Sequence, residues 1–129
     1  MSAPKDKQKI SSFTDLHAWQ EGHKLVLMVY NVTRSFPKEE LFGLTSQMRR
    51  AVVSITANIS EGFGRQSYKE KVQFYSISRG STTELQSHIL VARDIGLLQQ
   101  KPFEEISQQS TLTHKLITGL VTKSRTFTL

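Results

Sequence analysis

Residues 44–65 read LTSQMRRAVVSITANISEGFGR. Within this stretch Leu44, Met48, Val52, Ile55, Ile59 and Phe63 recur at steps of three and four. At about 100° per residue, such a set forms one apolar stripe along an α-helix. Thr45 is placed to cap its start, and Gly62 and Gly64 break the pattern near Arg65. The other faces of this helix are less ordinary. Gln47, Arg50, Ser54, Asn58, Glu61 and Arg65 step along a second arc, and Val53, Thr56, Ala57, Ser60 and Gly64 along a third. A surface helix usually carries long Lys and Glu chains on its outer side. Here the outer side is small or suited to directed hydrogen bonds. It reads either as a subunit interface with an ordered polar network or as a solvated face rich in Ser and Thr.

The same period extends on both sides. Upstream, Leu16, Trp19, His23, Val26, Tyr30 and Thr33 predict a helix between Thr14 and Ser35, with Thr14 or Asp15 as its N-cap and Phe36-Pro37 closing it. Downstream, Ser67-Tyr68-Lys69-Glu70 has the form of a capping box. It opens a third helix running to about Ile95, with Phe74, Ile77, Ser81, Leu85, His88, Ala92 and Ile95 as the expected buried face. Gly96 suits the position after a helix end, and Leu97 and Leu98 are expected to pack the turn. Pro102 fits the first turn of a fourth helix, with Glu104 and Glu105 near its positive end. Its expected face is Phe103, Ile106, Ser110, Thr113, Ile117, Leu120, Ser124 and Phe127, widened by Leu112 and Leu116. Four amphipathic helices on short connections predict an all-α fold, an antiparallel up-and-down four-helix bundle. Residues 1–12 are expected to be a flexible polar lead, and 13–127 a single bundle domain.

Composition agrees. The chain has 129 residues, room for one domain. Seven glycines and three prolines are few for a turn-rich β protein. The apolar fraction is 37%, while Ser (15) and Thr (12) are abundant, so the core stripes must be narrow. The absence of Cys excludes disulfides, Cys-ligated zinc, iron–sulfur ligation and thiol catalysis. No stretch approaches the ~18 apolar residues of a membrane span. No apolar segment follows the basic start as a signal peptide would require. The expected location is the cytoplasm, without membrane association.

Signals for catalysis are weak. No Glu-x-x-His pair is present, so the di-iron carboxylate bundle fails at its first requirement. Glu84 and His88, four apart, supply two ligands where a catalytic zinc usually takes three from protein; the simpler reading is a polar contact within the bundle. His17, His23 and His114 are scattered. No Gly-x-Ser-x-Gly elbow occurs, and Gly62-Phe63-Gly64 lacks both the strand and the third glycine of a dinucleotide loop. The expectation is no enzyme, no metal and no cofactor.

The charge of +6 is moderate, and residues 45–96 carry half of it. Arg65 and Lys69 flank the capped start of the third helix, where free N–H groups and the dipole suit a phosphate. The competing reading pairs Arg65 with Glu61, four residues earlier. Aromatic residues interleaved with these cations are sparse, limited to Tyr68, Phe74 and Tyr75.

A longer pattern now stands out. Phe13-x-x-Leu16-x-x-Trp19 is followed by Phe36-Pro37-x-x-Glu40-x-x-Gly43-Leu44-Thr45-x-Gln47-x-Arg49-Arg50-Ala51, then Ser54-Ile55-x-x-Asn58-Ile59-x-Glu61-Gly62-x-x-Arg65. Phe74-Tyr75-x-Ile77-x-Arg79-Gly80-Ser81-x-x-Glu84-Leu85 continues it. Over about residues 13–98 the chain resembles the four-helix bundle proteins encoded in intervening sequences of bacterial 23S ribosomal RNA genes. Residues 1–12 do not match, and the tail from Lys101 matches only as an amphipathic helix. The resemblance implies a ring-like homo-oligomer, with a pentamer expected, and a suggested role in nucleic-acid binding without catalytic residues. The motif residues that transfer are Gln47, Arg49, Arg50, Ser54, Asn58, Glu61, Gly62, Arg65, Gly80, Ser81 and Glu84; Ser60 stands where the family commonly has Ala.

The resulting expectation is a non-enzymatic, homo-oligomeric bundle that binds RNA or DNA through Arg49, Arg50, Arg65, Lys69 and Arg79. Gln47, Ser54, Asn58, Glu61, Gly62, Gly80, Ser81 and Glu84 are the expected oligomer and structural motif. The alternative is a structural or scaffolding oligomer that binds no nucleic acid.

Overall fold

Narrow apolar stripes leave each helix unable to bury itself alone, and four of them close around one core. The computed structural model describes residues 9–128. Its helices are α1 (His17–Thr33), α2 (Ser46–Phe63), α3 (Tyr68–Asp94) and α4 (Gln100–Thr126). Contacting pairs run in opposite senses. Ser54 meets Ser81 while Phe63 meets Lys71, and Arg93 meets Phe103 while Tyr68 meets Phe127. Thr33 meets Arg49 while Gly22 approaches Thr56. Glu21 meets Gln109 while Ala18 lies beside Leu120. Neighbouring helices are therefore antiparallel, and the expected up-and-down bundle is what forms. Among the described residues no helix is long and apolar enough to cross a membrane.

The entry to α1 differs from expectation. Neither Thr14 nor Asp15 caps α1, which starts after Leu16 without a side-chain cap. Instead Ser12 and Asp15 form a capping box around a short 3₁₀ turn, Phe13–Asp15. Backbone N–H groups of Ser11 and Ser12, both 3.0 Å from the Asp15 carboxylate, hold it below the usual carboxylate range. Ser11 and Ser12 belong to the segment expected to be flexible; residues 1–8 of that segment lie outside the described residues. Thr45 also does not cap α2: it is itself helical and buried, and the Glu40 carboxylate accepts from the Leu44 N–H (3.1 Å).

Two buried faces are turned by about one residue from the expected ones. On α1 the core takes Ala18, Gly22, Leu25, Val29 and Thr33, while His23 and Tyr30 are exposed. Trp19 packs at the flank, stacked on His23 (4.8 Å) with Phe13 edge-on. On α3 the buried set is Tyr75, Ser78, Thr82, Leu85, Ile89 and Ala92, while Ile77 and Ile95 face outward and Phe74, Ser81 and His88 are half-buried. Thr33, Leu85 and Ala92 are buried as expected; elsewhere the core holds Gly22, Ser78 and Thr82 beside the large Leu25, Val29, Tyr75 and Ile89. On α2 the expected Met48, Val52, Ile55 and Ile59 are all buried, joined by Ala51 and Gly62. On α4 the core takes Ile106, Ser110, Thr113, Ile117, Val121 and Ser124; Leu112 and Phe127 are exposed.

The α2–α3 turn is built tightly. The Ser67 hydroxyl accepts from the Glu70 N–H at 3.1 Å and starts α3 as expected. Lys71 reaches back to the end of α2, donating to the carbonyls of Phe63 (2.6 Å) and Gly62 (3.2 Å). That places its charge at the negative end of the helix, satisfying carbonyls with no intrahelical partner. Burial pushes the Lys71 ammonium below the usual lysine range. At the far end of α3, Gly96 has φ +84° and the Leu97 N–H bonds the Ala92 carbonyl (2.8 Å), the expected αL helix stop.

At Gly62, α2 packs directly against α3. A Cβ there would sit 2.8 Å from Tyr75 Cε1 and 3.0 Å from Phe74 Cβ. Gly62→Ala is expected to lose about 1–3 kcal/mol in urea unfolding, overriding its better helix propensity. Lys71→Met is expected to lose about 1–2 kcal/mol in the same assay. Lys69→Gln, two residues away at an exposed position, should change stability by less than about 0.5 kcal/mol.

Candidate functional site

The second arc of α2 faces a groove shared with α3. Ser54 and Ser81 join their hydroxyls across it at 2.8 Å. Asn58 fixes Ser54 from one turn below, its amide donating to the Ser54 carbonyl (2.8 Å) and hydroxyl (3.0 Å). Next to this contact lies a polar cleft of about 370 Å³ lined by Gln47, Arg50, Ala51, Ser54, Ser81 and Glu84. Five of the motif residues thus converge on one open surface. Glu84 is exposed and contacts His88 at 3.3 Å; among the described residues no cluster of three or more His, Asp or Glu could hold a metal ion. Gly80, beside this cleft in sequence, is exposed, and no atom lies within 4 Å of where its Cβ would be.

The five cations expected to meet phosphates divide into two groups. Arg49 and Arg65 are held inside the bundle's own contacts. Arg49 lies 4.7 Å over the Tyr30 ring and donates to the Thr33 hydroxyl at 3.0 Å, tying α2 to α1. Arg65 pairs with Glu61 at 2.7 Å, approaches Glu70 at 3.9 Å and covers the Phe74 ring at 4.6 Å. The pairing reading of Arg65 is the one the fold adopts. Arg50, Lys69 and Arg79 have no acidic partner within 4 Å among the described residues. Arg50 borders both the polar cleft and a neighbouring apolar groove of about 380 Å³ that includes Tyr30 and Val53. Lys69 lines a separate cleft at the other end of α3. The free cations are therefore spread along α2 and α3 rather than gathered at one point.

Three features escaped sequence reading. Lys71 anchors the α2 end, a role that depends on the tightness of the following turn. Phe42, in the segment before α2, is 91% exposed beside half-exposed Leu41, an apolar tip that the other described residues leave uncovered. Tyr68 and Phe127, fifty-nine positions apart, meet with ring centroids 4.8 Å apart. Only the antiparallel register of α3 and α4 brings that last pair together.

No curated protein gives a significant match. Among solved structures, a crystal structure from Bacteroides thetaiotaomicron, described as a protein with unknown function from the S23 ribosomal protein family, superposes with a TM-score of 0.76. It is 20% identical, and the alignment covers 81% of this chain and 95% of that one, which establishes a shared fold. Residues 14–119 match the family described as 23S rRNA-intervening sequence protein, a span that holds α1, α2, α3 and most of α4 with the whole Gln47–Glu84 surface. This chain belongs to the 23S rRNA-intervening sequence protein family.

Proposed function

We propose that the chain acts in the cytoplasm as a non-catalytic homo-oligomer, a pentameric ring by family resemblance, that binds RNA or DNA through exposed basic residues. The observation that carries self-assembly is the open α2–α3 surface. Gln47, Arg50, Ser54, Ser81 and Glu84 line its cleft, yet the core does not need them exposed there. Gly80 sharpens the point. A glycine inside a helix costs about 1 kcal/mol relative to alanine. Among the described residues beyond its own helix backbone, nothing approaches Gly80 closely enough to require it. A neighbouring copy lying against this face would use that space, and the exposed Phe42 tip offers an apolar anchor for the same association.

Nucleic-acid binding is supported by charge and by the family's link to ribosomal RNA genes. One chain carries a net +6, and of its 17 Lys and Arg side chains Arg49 and Arg65 are engaged within the fold. Five chains together would carry about +30, sufficient to attract a polyanion. Arg50, Lys69 and Arg79 are the residues assigned to phosphates. Contacts of this kind are sequence-neutral and weaken steeply with salt.

Two measurements test the two halves. Gly80→Ala should raise the helix propensity of α3 by about 0.5–1 kcal/mol while lowering the assembled mass in sedimentation, because the added methyl occupies the subunit contact. An unchanged mass would remove Gly80 from the interface. Binding to structured RNA should fall at least tenfold between about 50 and 200 mM salt. Equal affinity at both concentrations, or no binding at the lower, would contradict nucleic-acid binding and leave the scaffolding alternative.

A further inference from the structure

A second cleft lies away from the motif surface, where the start of α3 meets the end of α4. It encloses about 890 Å³, with Val72, Gln73, Thr122 and Thr126 in its wall. Two cations line it, Lys69 and Arg125, and among the described residues no Asp or Glu does. Lys69 follows Tyr68 in the chain, and Arg125 lies two residues before Phe127. Tyr68 and Phe127 therefore close the same end of the bundle, their rings tilted by 31°. They are 43% and 56% exposed.

This pair differs from the other aromatic side chains near the surface. Tyr30 has Arg49 over its ring, Phe74 has Arg65 and Phe103 has Arg93. Phe63 has Lys71 near its ring, and Trp19 is stacked on His23. Each of those aromatic faces is occupied by a cation or ring of the same chain. Among the described residues no cation lies over the ring of Tyr68 or Phe127, and Lys69 and Arg125 have no acidic partner within 4 Å. Phe42 is also uncovered, but it sits in the segment before α2 at the other end of the bundle, with no cleft around it.

We infer that this bundle end is a docking site for single-stranded nucleic acid, an unpaired base stacking on the Tyr68–Phe127 pair while Lys69 and Arg125 take the flanking phosphates. The inference rests on the nucleic-acid reading above and narrows it to one surface and one kind of strand. An aromatic platform beside paired cations is the combination that holds single strands without sequence preference. A duplex keeps its bases stacked on one another and offers only its backbone to the same surface.

The test uses the full chain and a fluorescently labelled 12-nucleotide oligo(U), free or paired with its complement, followed by anisotropy at two salt concentrations. The free strand should bind more tightly than the duplex. Phe127→Leu, which keeps apolar bulk but removes the ring, should weaken strand binding about tenfold and leave duplex binding unchanged. Tyr68→Leu provides the same comparison from the other ring. Lys69→Gln and Arg125→Gln should each lower the salt slope by about 0.7, the single-strand value per phosphate. Lys101→Gln, at the opposite end of the bundle, should change neither quantity. Equal affinity for strand and duplex, or silence of both ring variants while Arg50→Gln abolishes binding, would overturn this site and leave nucleic-acid binding itself intact. No binding of either probe would overturn both, as would uptake of a decanoate probe by the cleft without any strand binding.

Discussion

The Ser78 hydroxyl donates to the Ile55 carbonyl at 2.7 Å, and that distance sets how near α3 lies to α2. The same proximity recurs at the Ser54–Ser81 contact and at Gly62 against Tyr75. Along this seam the facing positions are small. Several buried hydroxyls find a backbone carbonyl, as Thr82 does with Ser78, Thr33 with Val29 and Thr113 with Gln109, while that of Thr118 is buried without a partner among the described residues. Burying a hydroxyl without a partner costs free energy, so these short reaches permit small polar residues in the core. The rest follows from the close seam. Lys71 can reach the α2 terminus only because α3 begins so near it, and the Ser54–Ser81 contact puts Gln47, Arg50 and Glu84 around one cleft.

This choice of residues also decides what could be read without coordinates. The helices were legible from their period, their caps and their punctuation, and α3 begins at Tyr68 as its capping box implies. The α2 stripe was legible because Met48, Val52, Ile55 and Ile59 are large and apolar and are the residues the core uses. On α1 and α3 the same rule points about one residue astray. It favours Trp19, Tyr30, Phe74 and Ile77, whereas the core selects Ala18, Gly22, Ser78 and Thr82. Neighbouring stripes on α1 and α3 both carry apolar residues, and the core uses the one on which Leu25 and Val29, or Tyr75 and Ile89, pack beside small residues that allow close approach.

The candidate site divides along a similar line. Pairing of Arg65 with Glu61 was visible because i and i+4 positions on one helix are neighbours whatever the tertiary fold. The fate of Arg49 was not, since its partners Tyr30 and Thr33 come from α1. Tyr68 and Phe127 are likewise unrelated in sequence and joined by the register of α3 with α4. Local interactions can be read from one helix, while contacts between helices depend on offsets that no single stripe specifies.

The division of the cations bears on how a moderately basic chain could hold a polyanion. A guanidinium lying over an aromatic ring and hydrogen-bonded to its neighbours contributes to the fold, and engaging a phosphate would mean giving up part of that arrangement. Arg49, Arg65 and Arg93 are in this position, each over a ring and bonded to an oxygen of its own chain. The cations free for a partner are therefore fewer than the 17 Lys and Arg side chains suggest. Because polyanion affinity rises with the number of phosphates neutralised, a few free cations per subunit bind weakly when alone. Repeating them around an assembly makes each further contact intramolecular and restores affinity without additional basic residues. In the proposed ring, the small-residue surface that brings copies together and the modest charge of each copy are two parts of one arrangement.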